Sequence, residues 1–188
     1  MSENKTIYDQ KLSKIKSLDT QRLTLRWFEL SDIKDVFEYA SHEEVVTYLT
    51  WPPHSDIEYT KKRFPDLFLH KPGMFAIELK LQKKCIGCIE LRIDAPNDKG
   101  SFGYVLNQNY WNKGYMTEAL ARIIDASFTD LELNRVEAIH YVGNEKSGKV
   151  MKKVGMKKEG VALKEVKIKG EYRDVVHFGL LKEHWIKL

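Results

Sequence analysis

Residues 20–28 alternate well enough to read as a strand, with Leu23, Leu25 and Trp27 on one face and Arg22, Thr24 and Arg26 on the other. Behind it the spacing lengthens. Ser31 is placed to cap a helix whose apolar stripe is Ile33, Val36, Phe37 and Ala40. Ser41-His42-Glu43-Glu44 has the form of a capping box and predicts a second helical turn through Val46 and Leu49. Trp51-Pro52-Pro53-His54 breaks that turn. Ser55-Asp56-Ile57-Glu58 is a further capping box and opens a helix, which Pro65 is expected to end or kink. The period then returns to two. Residues 74–81, a Gln82-Lys83-Lys84 turn and residues 85–93 predict a hairpin, and a turn-rich segment leads to a third strand over 101–106. Beyond a helix in the 117–128 region, residues 135–142 predict a strand, 144–154 a short helix stopped by Gly155, and 160–169 with 172–181 a strand pair. Because a helix intervenes, the strands on either side of it can lie parallel, joined by a crossover.

The stretch from Tyr104 to Phe128 organises this pattern. A short apolar strand ends at Leu106, a polar loop containing Gly114 follows, and a helix begins near Thr117 with Leu120, Ile123, Ile124 and Phe128 on its apolar side. Strand, loop and helix in that order direct several unpartnered N–H groups, and the positive end of the helix dipole, at one point. Such a loop suits a phosphate or pyrophosphate, and Gly114 lets the backbone approach the anion closely. The two common glycine-rich phosphate signatures, Gly-x-x-x-x-Gly-Lys-[Ser/Thr] and Gly-x-Gly-x-x-Gly, are absent.

Composition narrows the class. At 188 residues, 43% hydrophobic and 31% charged, the chain is that of an ordinary globular domain able to bury a full core. Residues 1–18 are lysine-rich and weakly periodic, with Ile7, Leu12 and Ile15 marking a short helix; they read as an N-terminal extension before a single domain over 19–188. No apolar run approaches membrane-spanning length and no signal-peptide pattern stands at the start, so no membrane association and a cytoplasmic location are expected. Net charge is +4, and the 31 basic residues are interspersed with 27 acidic ones, which argues against nucleic acid as a partner and is compatible with an anionic cofactor. Cys85 and Cys88 form a Cys-x-x-Cys pair without a second pair to complete a thiolate zinc site, and no metal is expected. On a regular strand, residues three apart point to opposite faces, so the two cysteines read as separate, reduced thiols.

The segment Trp111-Asn112-Lys113-Gly114-Tyr115-Met116-Thr117-Glu118-Ala119 closely resembles the acetyl-CoA pyrophosphate loop of the GNAT superfamily of N-acetyltransferases, most closely the branch named after the RimJ and RimL ribosomal-protein acetyltransferases. The resemblance extends from about Thr20 to Trp185. It takes in Asn144-Glu145-Lys146-Ser147, similar to the family's Asn-x-x-Ser, and Lys153-Val154-Gly155-Met156 with Glu159-Gly160, similar to its Lys-x-Gly-Phe and Glu-Gly. It implies an α/β fold with a mixed, mostly antiparallel sheet, a splayed parallel strand pair and helices on both faces. It also implies transfer of an acetyl group from acetyl-CoA to a primary amine through a ternary complex, with a protein N-terminal Ala or Ser as one acceptor and a polyamine, amino sugar or antibiotic as others, in a monomer or homodimer. A non-catalytic acetyl-CoA sensor on the same fold is the alternative.

By that resemblance the backbones of Tyr104, Val105 and Leu106 meet the pantetheine arm as an added strand would. The loop of Asn112, Lys113, Gly114, Tyr115, Met116 and Thr117 holds the pyrophosphate, with the Lys113 side chain available for phosphate charge, and Asn144 bonds pantetheine. The N–H of Leu106 is expected to polarise the thioester carbonyl. Many superfamily members place a tyrosine seven residues after the asparagine; Met151 stands there in this chain, so Ser147 is the motif's nearest hydroxyl for protonating the leaving thiolate. Ser147 also suits a helix N-cap, and the two roles are compatible. For the general base, Glu90 is the candidate, with His140 or a water chain as alternatives, while Glu118 reads as a support for the loop or a cap for the helix. Trp51, His54 and Tyr172 are candidates for the acceptor pocket.

Overall fold

The computed structural model describes residues 3–186. In chain order the elements are α1 (Glu3–Lys14), β1 (Ser17–Asp19), β2 (Leu23–Arg26), α2 (Ile33–Ala40), α3 (Glu43–Val46), α4 (Ile57–Phe68), β3 (Met74–Leu79), β4 (Lys84–Asp94), β5 (Lys99–Leu106), α5 (Tyr115–Thr129), β6 (Arg135–Tyr141), α6 (Glu145–Lys153), β7 (Lys157–Ile168) and β8 (Glu171–Leu181). The strands form one eight-stranded sheet in the order β1-β2-β3-β4-β5-β6-β8-β7. Neighbours are antiparallel except β5 and β6, which run parallel and are linked by α5 as a crossover. The expected α/β architecture is therefore present, with helices on both faces.

Each face has its own core. One side packs α1, α5 and α6 on the sheet through Leu12, Leu120, Ile123, Ile124 and Met151, with Leu23 and Leu25 of β2 beneath them. The other packs α2, α3 and α4 through Val36, Tyr39, Val45 and Phe64, with Ala76, Cys85 and Cys88 beneath. Period two in the strands and the apolar stripes of the helices thus resolve onto opposite faces of one sheet.

Several local expectations are corrected. The strand predicted over 20–28 is shorter, because residues 20–22 form a turn in which the Leu23 N–H donates to Thr20 Oγ1 at 2.8 Å. Upstream, β1 pairs Leu18 with Leu25 and buries Leu18, and α1 buries Leu12. Neither predicted capping box starts where its serine stands. His42 precedes α3 without a side-chain cap, and Asp56, not Ser55, caps α4 by accepting the Tyr59 N–H at 2.8 Å. Nor does Pro65 end α4: the helix runs on to Phe68, and the Leu69 N–H closes on Pro65 O at 3.2 Å. Cys85 and Cys88 share one face, because Ile77 pairs with Gly87 while Glu78 pairs with Cys85, which makes Ile86 the extra residue of a β-bulge. The bulge cancels the half-period that separates residues three apart. Both thiols are free and buried.

Candidate active site

The parallel pairing of β5 with β6 ends at Phe102 and Ala138. Beyond it β6 stays paired with β8 as far as Tyr141, and β5 stays paired with β4 as far as Leu106, so the sheet opens between them. The Asn107 N–H donates to Ile86 O across the β4 side at 2.8 Å. Amides alternate sides along a strand, so the N–H groups of Tyr104 and Leu106 point the other way, into the gap. The Leu106 carbonyl on that edge is taken by Trp111 Nε1 at 2.7 Å, which leaves the N–H as the available group. Gly87 lets β4 press against this segment, since a Cβ there would lie 2.3 Å from Val105 O.

The edge is held from behind. Asn107 is fully buried, donates from Nδ2 to Glu38 Oε1 at 2.9 Å and accepts the Asn109 N–H on Oδ1 at 3.0 Å. Glu38 also takes Lys84 Nζ at 2.6 Å. Burial alone would raise the Glu38 carboxyl, but the bonds from Lys84 and Asn107 hold it below its ordinary value. The charge of α2 thereby fixes the start of the loop.

That loop turns into α5 through left-handed residues at Asn112 (φ 61°) and Gly114 (φ 81°), with Lys113 between them. Such alternation makes a concave nest of N–H groups. Gly114 is the N-cap of α5, and Glu118 N, bonded to Gly114 O at 3.0 Å, is the first amide with a helical partner. The helix therefore starts at Tyr115, two residues before the position expected, and leaves the N–H groups of Tyr115, Met116 and Thr117 free for an anion. Glu118 braces the turn as expected. It accepts Thr20 Oγ1 at 2.6 Å, the Arg22 N–H at 2.8 Å and Arg22 Nε at 2.6 Å. Burial opposes its ionisation, and these bonds overcome that and hold its carboxyl below the ordinary range.

A cleft of about 860 Å³ joins the opened edge to the loop. It brings together Tyr104, Val105, Leu106, Asn112, Gly114, Tyr115, Met116, Thr117, Asn144 and Ser147. Lys113 does not line it, and its amine donates to Asn109 O at 2.9 Å. Ser147 is not the N-cap of α6. Asn144 holds that position and accepts the Ser147 N–H at 3.4 Å. The Ser147 hydroxyl stands 2.8 Å from the Tyr104 phenol, which also donates to Ser147 O at 3.2 Å. Burial raises the Tyr104 phenol far above its ordinary value, so it stays protonated beside Ser147.

Glu90 is not brought to the cleft: it lies on β4 and pairs with Arg92 at 2.6 Å. His140 packs against Phe178, with Nδ1 3.0 Å from Tyr141 O. Trp51, His54 and Tyr172 do not line the cleft either; His54 is buried on Thr60 at 2.8 Å, and Tyr172 is exposed on β8. The α3 side of the cleft is instead formed by Glu44, Val45, Thr47, Tyr48 and Leu49, with the Tyr48 hydroxyl donating to Gly143 O at 2.8 Å. Lys146, Lys149 and Lys153 also line it from α6. The sequence carried a signal for these lysines in their spacing of three and seven, which places them on one helical face.

A family model described as an acetyltransferase (GNAT) domain matches residues 22–157 of this chain. The chain belongs to the GNAT family. Among its relatives is p20 of Bacillus licheniformis, named as an uncharacterized N-acetyltransferase, 36% identical over 91% of this chain and 99% of its own length. A GNAT-family acetyltransferase of Bacillus anthracis superposes with a TM-score of 0.82 at 28% identity, over 89% of this chain and 99% of that one. The ribosomal-protein-S5-alanine acetyltransferase of Vibrio fischeri gives 0.71 at 26%, over 90% and 98%. This GNAT protein is an acetyl-CoA-dependent N-acetyltransferase, and the sensor alternative falls away. Among its described residues, no helix is long and apolar enough to cross a membrane.

Proposed function

We propose that this GNAT enzyme acetylates a protein N-terminal Ala or Ser, in the manner of the RimJ/RimL-like branch, by direct attack of the amine on the thioester. The observation that carries the site assignment is the unpaired β5 edge at Tyr104–Leu106 opening into the same cleft as the Asn112–Thr117 amides. Pantetheine completes the edge as an added strand, and the loop amides, not the Lys113 side chain, hold the pyrophosphate. Asn144 bonds the pantetheine arm. The Leu106 N–H polarises the acetyl carbonyl where the strands part. The amine nitrogen forms its bond to the carbonyl carbon, the tetrahedral intermediate collapses with loss of the C–S bond, and the thiolate takes a proton from Ser147, which the Tyr104 phenol orients. The proton lost by the amine leaves through water, which in turn reprotonates Ser147; Glu90, held by Arg92 outside the cleft, is not needed for this step.

A covalent acyl-enzyme is disfavoured by the thiols themselves. Burial pushes Cys88 up to about 12 and Cys85 well above its ordinary value, and neither lines the cleft. The likeness to the alanine acetyltransferase of Vibrio fischeri supports a peptide acceptor. A CoA-release screen over peptides with different N-termini, polyamines and aminoglycosides tests this. Turnover highest on Ala- or Ser-initiated peptides supports the proposal, and turnover confined to small amines contradicts it.

A further inference from the structure

The cleft contains a set of cations that the loop does not account for. At the pyrophosphate loop itself, the nearby positive charges are already committed: Arg22 to Glu118 and to Lys113 O, and Lys113 to Asn109 O. Lys146 sits over the Trp111 ring at 4.5 Å, near the opened edge. Lys149 and Lys153 line the cleft with neither a hydrogen bond nor an ion pair to any other side chain among the described residues. Lys152, between them in sequence, is exposed and does not line the cleft.

Position along α6 orders these groups. Ser147 and Tyr104 mark the thioester end, and Lys153 lies six residues further along the helix, about 9 Å away at a rise of about 1.5 Å per residue. The ligand is an extended molecule with its thioester at one end and its adenosine, bearing a 3′-phosphate, at the other. The cleft that holds the opened edge and the loop of Asn112–Thr117 also reaches Lys149 and Lys153, in the second half of α6. Two uncommitted ammonium groups there could meet a dianionic phosphate and would supply the whole of the attraction, because the negative end of the helix dipole opposes an anion at a C-terminus.

We propose that Lys149 and Lys153 form a subsite for the 3′-phosphate of the co-substrate, so that the enzyme selects acetyl-CoA over its 3′-dephospho form. The inference rests on the loop holding the pyrophosphate. It assigns α6 a second role: its first turn serves the leaving group, and its last turn reads the nucleotide.

The test is calorimetric titration of CoA and 3′-dephospho-CoA into wild-type protein, the Lys149→Gln/Lys153→Gln double variant, Lys152→Gln and Gly114→Val, at two salt concentrations. Wild type should favour CoA by about tenfold, with the preference shrinking at high salt. The double variant should bind both ligands with equal affinity, matching the wild-type affinity for the dephospho form. Lys152→Gln should keep the wild-type ratio, separating a local contact from a general charge effect. Equal loss of affinity for both ligands in the double variant would overturn the subsite, because the lysines would then serve the pyrophosphate. An absent preference in wild type would overturn it as well. Gly114→Val isolates the loop: it should weaken both ligands together while preserving their ratio, and unaltered binding there would count against the loop and not against the lysines.

Discussion

At the scale of single residues, the site depends on a few polar side chains whose partners fix their state. Ser147 stands in hydrogen-bond contact with a phenol that burial keeps protonated, and in the proposed mechanism it is the group that protonates the leaving thiolate. Ser147→Ala should lower kcat by about a hundredfold while leaving the Kd for acetyl-CoA nearly unchanged, a split that steady-state kinetics and calorimetry resolve. A matching fall in affinity would assign Ser147 to binding instead. Glu118 offers a pH test. Its folded-state pKa lies below its unfolded one, so its contribution to stability is complete above the ordinary glutamate range and disappears as pH falls through the depressed value. Glu118→Gln should therefore cost about 1–2 kcal/mol near pH 7, and the gap from wild type should close in acid denaturation series. A gap independent of pH would show that the carboxylate charge plays no part.

Elements give these residues their positions. The β5 edge is exposed because β6 follows β8 and departs, while Asn107, Glu38 and Trp111 hold the departing end in place. The loop is shaped by left-handed backbone at Gly114, where any Cβ is strained by about 1–2 kcal/mol although Arg22 Nη2 at 3.4 Å leaves room for it. Gly114→Ala should fold, lose about that much stability and raise the KM for acetyl-CoA, measurable by thermal unfolding and initial rates. Much at this scale was legible in the sequence. The strand–loop–helix of residues 101–128, the hairpin of β3 and β4 and the crossover all follow from periodicity, since each buries one face against the core. What escaped left no local pattern, for different reasons. The bulge at Ile86 depends on the partner strand's register, which no local pattern encodes, and it reversed the expected facing of the two cysteines. β1 is three residues long and buries a single leucine, too little to make a pattern. The contribution of α3 and Tyr48 arises from chain segments 95 positions apart meeting across the cleft.

For the molecule as a whole, the two cores on either side of one sheet make the N-terminal segment part of the structure. Leu12 and Leu18 belong to the core that also carries α5 and α6, and the Tyr8 hydroxyl donates to Asp98 at 2.7 Å. Removing residues 1–18 should destabilise the enzyme by about 3–6 kcal/mol from the two leucines alone, with a lower Tm as readout. An unchanged Tm would show those residues to be a dispensable appendage. In the proposed complex the sheet's opening has a use: a fold with an eight-stranded sheet keeps an unpaired edge inside it, and pantetheine would supply the missing pairing.

The most direct measurement is a structure of this enzyme with acetyl-CoA bound. The account predicts pantetheine hydrogen-bonded along Tyr104–Leu106, the thioester oxygen at the Leu106 N–H, and the pyrophosphate in the amides between Asn112 and Thr117. Pyrophosphate bound elsewhere, with the β5 edge closed by the protein's own backbone, would contradict it.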